Sequence, residues 1–178
     1  MSNYKRVFVE NSFYFITAVI YNRKLSLLTE YVDSFKHALR VSKQKFKYEL
    51  YAIVVMPDHF HMIINPENMK DYPLIISCIK REFTKLLDDN LKIKIAKALT
   101  KSQIKHRESG VWQRRYFEHT IRNQDDLNYL TDYIHYNPVK HNLTMSAKQW
   151  RYSSFMKFVN NHYYSEDWGE FTENINYD

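Results

Sequence analysis

Two histidines one residue apart, His59 and His61, interrupt the apolar run "VVMPDHFHMII" between Val54 and Ile64. Side chains alternate along a strand, so both imidazoles point to one face and Phe60 to the other. Their Cα atoms then lie roughly 7 Å apart, within reach of one metal ion or one phosphate. On its own such a pair is more often two half-exposed strand residues than a site, so partners must be found elsewhere. The stretch "DDLNYLTDYIHYNP", residues 125–138, offers two. At about 100° per residue, Leu127, Leu130 and Ile134 form the buried stripe of a helix, and Tyr133 and Asn137 stack along its border. If that helix packs on the sheet carrying the histidines, a phenol and an amide oxygen face two imidazoles. Two His nitrogens and one amide oxygen can hold a cation while leaving positions open for substrate oxygens. The residue types alone leave a plainer assignment open, with Tyr133 a packing aromatic and Asn137 a helix terminator. Tyr129 and Tyr136 share the helix but not the face of Asn137. His135 is expected on another side, in solvent or against phosphate, and His119 is expected to be an ordinary sheet residue. Arg114, Arg115 and Arg122 are candidate phosphate contacts.

The elements that must position these groups follow from periodicity. Val7–Val9 and Phe13–Tyr21 read as a first strand region, rich in β-branched and aromatic residues. A helix over about 30–46 shows Val32, Phe35, Leu39 and Phe46 at helical spacing. Strands at 48–56 and 59–65 flank Pro57 and Asp58, a tight turn that makes the pair a hairpin with both histidines just past the bend. Pro73 opens a second helix with the stripe Ile75, Ile79, Phe83 and Leu86. Residues 90–107 carry six basic residues and no acid, and read as a solvated helix end or a flexible basic arm. A fourth strand is expected over 111–121, and a last helix from about Asp125 to Asn137, ended by Pro138. The order strand, helix, strand, strand, helix, strand is the split βαβ arrangement of the α+β, ferredoxin-like fold (RRM-like): an antiparallel sheet with helices on one face, here followed by a C-terminal helix.

Composition narrows the function. With 178 residues and 29 aromatics, the chain can build one well-filled domain, expected over 1–160, before an acidic tail at 161–178. Its two glycines cannot supply a Gly-rich phosphate loop, and the lone Cys78 excludes a disulfide framework and fits a reducing, cytoplasmic setting. The longest early apolar stretch, Phe13–Ile20, is too short to span a membrane. The net charge is +6, but residues 165–178 hold five acids and no Lys or Arg; without them 26 basic residues face 15 acidic ones, a balance of +11. Such a surplus, with so many aromatic rings, favours nucleic acid as partner.

The segments "YAIVVMPDHFHMIINP", "YFEHTIRN" and "YIHYNPVKHNL…WRYSSF" together resemble the single-tyrosine (IS200-like) transposase superfamily, and within it the REP-associated tyrosine transposases of bacteria, over about residues 4–158. These are HUH endonucleases, named for two histidines flanking a hydrophobic residue, here Phe60. The resemblance implies that His59 and His61 bind a divalent ion, Mg²⁺ or Mn²⁺, that Asn137 completes the metal site, and that Tyr133 is the nucleophile. It further implies cleavage and rejoining of single-stranded DNA near a hairpin through a 5′-phosphotyrosine. Recognition of a short sequence beside the hairpin would fall to Tyr4, Lys5 and Arg6 in "NYKRVF". Members act as monomers or homodimers. A non-catalytic module that binds single-stranded nucleic acid on the same sheet is the alternative; such a binder has no reason to keep the full set of His59, His61, Tyr133 and Asn137.

Overall fold

The computed structural model describes residues 8–9 and 12–170. Tyr4, Lys5 and Arg6 therefore lie outside the described residues. Four strands, β1 (Tyr14–Val19), β2 (Tyr48–Val55), β3 (His59–Pro66) and β4 (Phe117–Thr120), form one antiparallel sheet in the order β2-β3-β1-β4. Helices α1 (Leu27–Glu30) and α2 (Val32–Lys45) connect β1 to β2, and α3 (Tyr72–Lys85), α4 (Asp89–Lys97) and α5 (Lys101–Lys105) connect β3 to β4. Helices α6 (Gln124–Lys140) and α7 (Phe155–Asn160) follow. Among the described residues no helix is long and apolar enough to cross a membrane.

Alternation along the strands sorts their side chains into two cores. Ile16, Ala18, Phe60 and Met62 pack with Phe35 of α2 and Ile75, Ile79 and Phe83 of α3. On the other face Phe15, Ala52, Val54 and Ile63 meet Leu127 and Ile134 of α6 and Phe158 of α7. The sheet is therefore buried on both sides, and the histidines of β3 share the face covered by α6.

Three expectations need correction. Helix α6 does not stop before Pro138 but runs to Lys140. A proline near a helix end forfeits one backbone bond, and here the burial of Pro138 and Val139 offsets that loss while Asn137 still accepts the His141 N–H at 3.0 Å. The fourth strand is only four residues long, and the expected run breaks at residues 113–116. Before the break Trp112 still bridges Ile20, with the Gln113 N–H donating to Val19 O at 2.9 Å, while its indole N–H donates to the Lys80 carbonyl at 3.1 Å. Residues 90–107 are not an arm but two short helices, fastened by an Asp88 cap and by a Thr100–Gln103 capping box.

Candidate active site

Register places the histidines. His61 lies directly opposite Thr17 of β1, and His59 opposite Val19. The bend before His59 is pinned at three backbone points: Met56 N–H to His59 O at 2.8 Å, Ile20 N–H to Asp58 O at 2.7 Å and Leu28 N–H to Pro57 O at 3.0 Å. The two imidazole centroids are 4.8 Å apart, and both residues are buried. Each ring is held from behind by its Nδ1. His59 Nδ1 meets Asp58 Oδ1 at 2.6 Å, and His61 Nδ1 meets Thr17 Oγ1 at 2.7 Å. With both Nδ1 atoms engaged, the Nε2 atoms are what the pair presents to the site. Asp58 in turn accepts the Arg23 Nε–H at 2.6 Å. Burial pushes the Asp58 pKa up, but its bonds to Arg23 and His59 outweigh this and hold it below the usual carboxylate value. Burial, reinforced by the neighbouring imidazoles of His59 and His141, drives His61 down to about 3, so its ring is neutral.

Helix α6 supplies the other half. Its N-terminus is capped by the Asn123 side chain, which accepts the Asp126 N–H at 2.9 Å, and Asp125 and Asp126 complement the helix dipole. The half-buried ring of Tyr133 lies 5.2 Å from the His61 ring, centroid to centroid, and 6.0 Å from Phe15, which itself stacks on His61 at 5.5 Å. Asn137, one turn on, is fully buried, and neither its amide oxygen nor its amide nitrogen has a hydrogen-bond partner. His61 Nε2 is likewise buried and unpartnered. Orphaned buried polar atoms of this kind are costly, and they are the donor types that hold cations. Among the described residues no three His, Cys, Asp or Glu side chains converge on a metal position.

Four further residues border the site unannounced by the sequence reading: Thr17, Asp58 and Arg23 behind the histidines, and His141, whose ring is 5.7 Å from that of His59. Lys140 Nζ lies 5.7 Å from the Tyr133 ring centroid. Tyr133, Asn137, Lys140 and His141 are spaced i, i+4, i+7 and i+8, one continuous face that becomes visible once the helix is carried past Pro138. Asp58 precedes His59 directly and could have been suspected from that adjacency; Thr17 and Arg23 are brought in only by the tertiary structure.

The remaining candidates scatter. His135 is not in solvent: it is fully buried, with Nε2 2.8 Å from Ser154 Oγ and Nδ1 3.3 Å from Tyr164 Oη, and burial lowers it to about 3. His119 sits on β4 with Nε2 2.8 Å from Asp126 Oδ2. Arg114, Arg115 and Arg122 are exposed. Arg114 lines a groove beside α3, and the Arg122 backbone N–H is bonded to Asp126 Oδ2 at 3.0 Å. The first residues of the expected tail are packed: Tyr164 stacks on Trp168 at 4.3 Å and donates to Asp132 Oδ1 at 2.7 Å.

Residues 8–137 match the family model described as "Transposase IS200 like". A candidate REP-associated tyrosine transposase of Haemophilus influenzae is 42% identical over 170 residues, covering 95% of this chain and 94% of that protein. The REP-associated tyrosine transposase of Escherichia coli K12 is 33% identical over 175 residues, covering 97% and 94%. A solved structure of a REP-associated tyrosine transposase bound to a REP hairpin superposes with a TM-score of 0.79 at 30% identity, covering 98% of this chain and 95% of that one.

Proposed function

Because the chain belongs to the IS200-like transposase family, we propose that it cuts and rejoins hairpin-bearing single-stranded DNA in the bacterial cytoplasm, through a 5′-phosphotyrosine on Tyr133. The observation that carries this reading is the meeting of the Tyr133 ring with His61 at 5.2 Å, beside the unpartnered, buried His61 Nε2 and Asn137 amide.

His59, His61 and Asn137 fit a divalent ion, Mg²⁺ or Mn²⁺, in donor type, burial and want of other partners. Bound there, it would polarise a non-bridging oxygen of the scissile phosphate. The chain's own residues do the rest. Thr17 and Asp58 fix the imidazoles so that their Nε2 lone pairs face the site. Tyr133 attacks phosphorus through its phenolic oxygen, losing its proton; the P–O3′ bond breaks, and the departing oxygen takes up a proton to become a free 3′-OH. A neutral phenol is a poor nucleophile, so positive charge beside the attacking oxygen favours the step, and Lys140 Nζ lies 5.7 Å from the Tyr133 ring centroid. Rejoining reverses the step. A 3′-OH attacks the phosphotyrosine, the P–O bond to Tyr133 breaks, and the phenol regains its proton, with no external energy source. Phe15 and the sheet wall off one side of the Tyr133 ring and hold it against His61.

The test is incubation with hairpin-flanked single-stranded DNA and Mn²⁺, followed by denaturing electrophoresis. A protein–DNA adduct formed by the wild type and lost in Tyr133→Phe, with DNA binding within about threefold of wild type, supports the assignment. Tight binding without adduct under every divalent ion tried refutes it.

A further inference from the structure

A groove of about 900 Å³ runs between α3 and the segment 107–116 that returns from α5 to β4. Six cations line it, Lys80, Arg81, Lys85, Lys92, Arg107 and Arg114, against one acid, Glu108. Its floor is fixed: Lys80 Nζ donates to the Gln113 carbonyl at 2.8 Å, and the Trp112 indole donates to the Lys80 carbonyl at 3.1 Å. Burial pulls Lys80 down to about 8, with nearby Glu108 opposing the shift. Glu82 pairs with Arg81 and Lys85, Asp89 with Lys92, and Glu108 with Arg114 at 4.0 Å, but Arg81, Lys85 and Arg114 each stay more than half exposed, so they remain open to phosphate. The groove is also remote from the histidines. Helix α3 covers the sheet face of Ile16 and Met62, whereas His61 shares the opposite face with Phe15.

We propose that this groove seats the sugar–phosphate backbone of the duplex stem of the DNA substrate, leaving the unpaired strand to cross the β4 edge to Tyr133. The proposal rests on DNA being the substrate. The kind of aromatic surface on each side separates duplex from single strand. Single strands are held by open rings on which bases stack. In the groove Trp112 is only 4% exposed and Tyr116 is half-buried, so nothing there can receive a base, while phosphates are well matched. The site face offers the reverse. Phe117, on the edge strand β4, is 60% exposed and lies 6.2 Å from Phe15, which stacks on His61. A stem in the groove and a strand over Phe117 divide the substrate by chemistry. The inserted helices α4 and α5, with Lys92 and the adjoining Arg107, then gain a purpose as one wall of the stem site.

The experiment compares wild type with Lys85→Gln/Arg107→Asn, two exposed cations outside the cleavage site, in anisotropy titrations from 50 to 300 mM salt. One probe is a labelled hairpin with a single-stranded flank, the other the same flank without a stem. Each lost phosphate contact should lower the slope of log K against log salt by about 0.9 and weaken binding roughly fivefold at 150 mM, so the pair should cost roughly thirtyfold on the hairpin. The stemless strand should bind both proteins alike, and Lys85→Arg/Arg107→Lys should retain the hairpin affinity. An unchanged slope on the hairpin, or an equal loss on the stemless strand, overturns the groove assignment while leaving cleavage of DNA intact. A wild type that neither binds nor cuts either probe overturns the DNA reading, and this proposal with it.

Discussion

Replacing Asp58 with alanine removes the group that aims His59 without touching a proposed metal donor. Asp58 Oδ1 lies 2.6 Å from His59 Nδ1, a short charge-assisted contact, and its other oxygen holds Arg23 at 2.6 Å. Carboxylates placed behind metal-bound histidines are typically worth 10–100-fold in metal affinity. Here the loss should fall in the upper half of that range, about 30–100-fold or roughly 2–2.7 kcal/mol, because the substitution also strands Arg23 next to the site. Asp58→Asn keeps an acceptor but loses the charge, and should cost about tenfold. The bend itself should survive, since it hangs on the backbone carbonyl of Asp58, which accepts from Ile20 at 2.7 Å. Mn²⁺ titration of DNA-free protein, read from the EPR signal of the free ion, measures affinity without reference to catalysis. Cleavage by Asp58→Ala should then recover toward the wild-type rate as Mn²⁺ is raised. A Mn²⁺ affinity within twofold of wild type for Asp58→Ala would refute the role given to His59 and its carboxylate.

Thr17→Val keeps shape but removes the 2.7 Å partner of His61 Nδ1, and should weaken Mn²⁺ binding about tenfold in the same titration while changing urea stability by about 1 kcal/mol. Burial holds His135 near 3 when folded, below its value near 6.5 in the unfolded chain, so the unfolded chain takes up the proton first as pH falls and stability drops. Between pH 7 and pH 5 this one residue should cost about 2 kcal/mol, and His135→Phe should lose that much less than wild type over the same interval in urea denaturation. Gly110 has φ +73°, and a Cβ there would lie 2.5 Å from Leu99 Cδ2 and 2.8 Å from Ile95 Cγ2. Gly110→Ala should therefore destabilise by about 2 kcal/mol in urea denaturation, mostly from the left-handed backbone, because the two methyl groups can shift.

Period-two alternation and the Pro57–Asp58 bend were enough to place β2, β3 and both histidines on one face, and the stripe Leu127 and Ile134 did the same for the helix bearing Tyr133. Local signals failed where tertiary packing decides. A proline normally argues for a boundary just before it, but the burial of Pro138 and Val139 carries α6 another turn and brings Lys140 and His141 into line. His135 is a polar type that period alone cannot place; Phe155, Phe158 and Tyr164 surround it, all three from α7 and the segment after it. Thr17 is one of many strand threonines until register sets it opposite His61. The alternation in "VWQRRYFEHTI" overstated β4 because pairing is interrupted between Trp112, which bridges Ile20 while its ring packs in the α3 core, and Phe117, where the regular strand begins.

Tyr133 and Asn137 project from a single rigid rod, and the imidazoles they face belong to the hairpin of that same polypeptide. The arrangement has a genetic corollary. If the centre works within one polypeptide, as the fold presents it, a copy lacking the phenol and a copy lacking the imidazoles should not rescue each other when mixed. Activity per molecule should likewise hold steady on dilution.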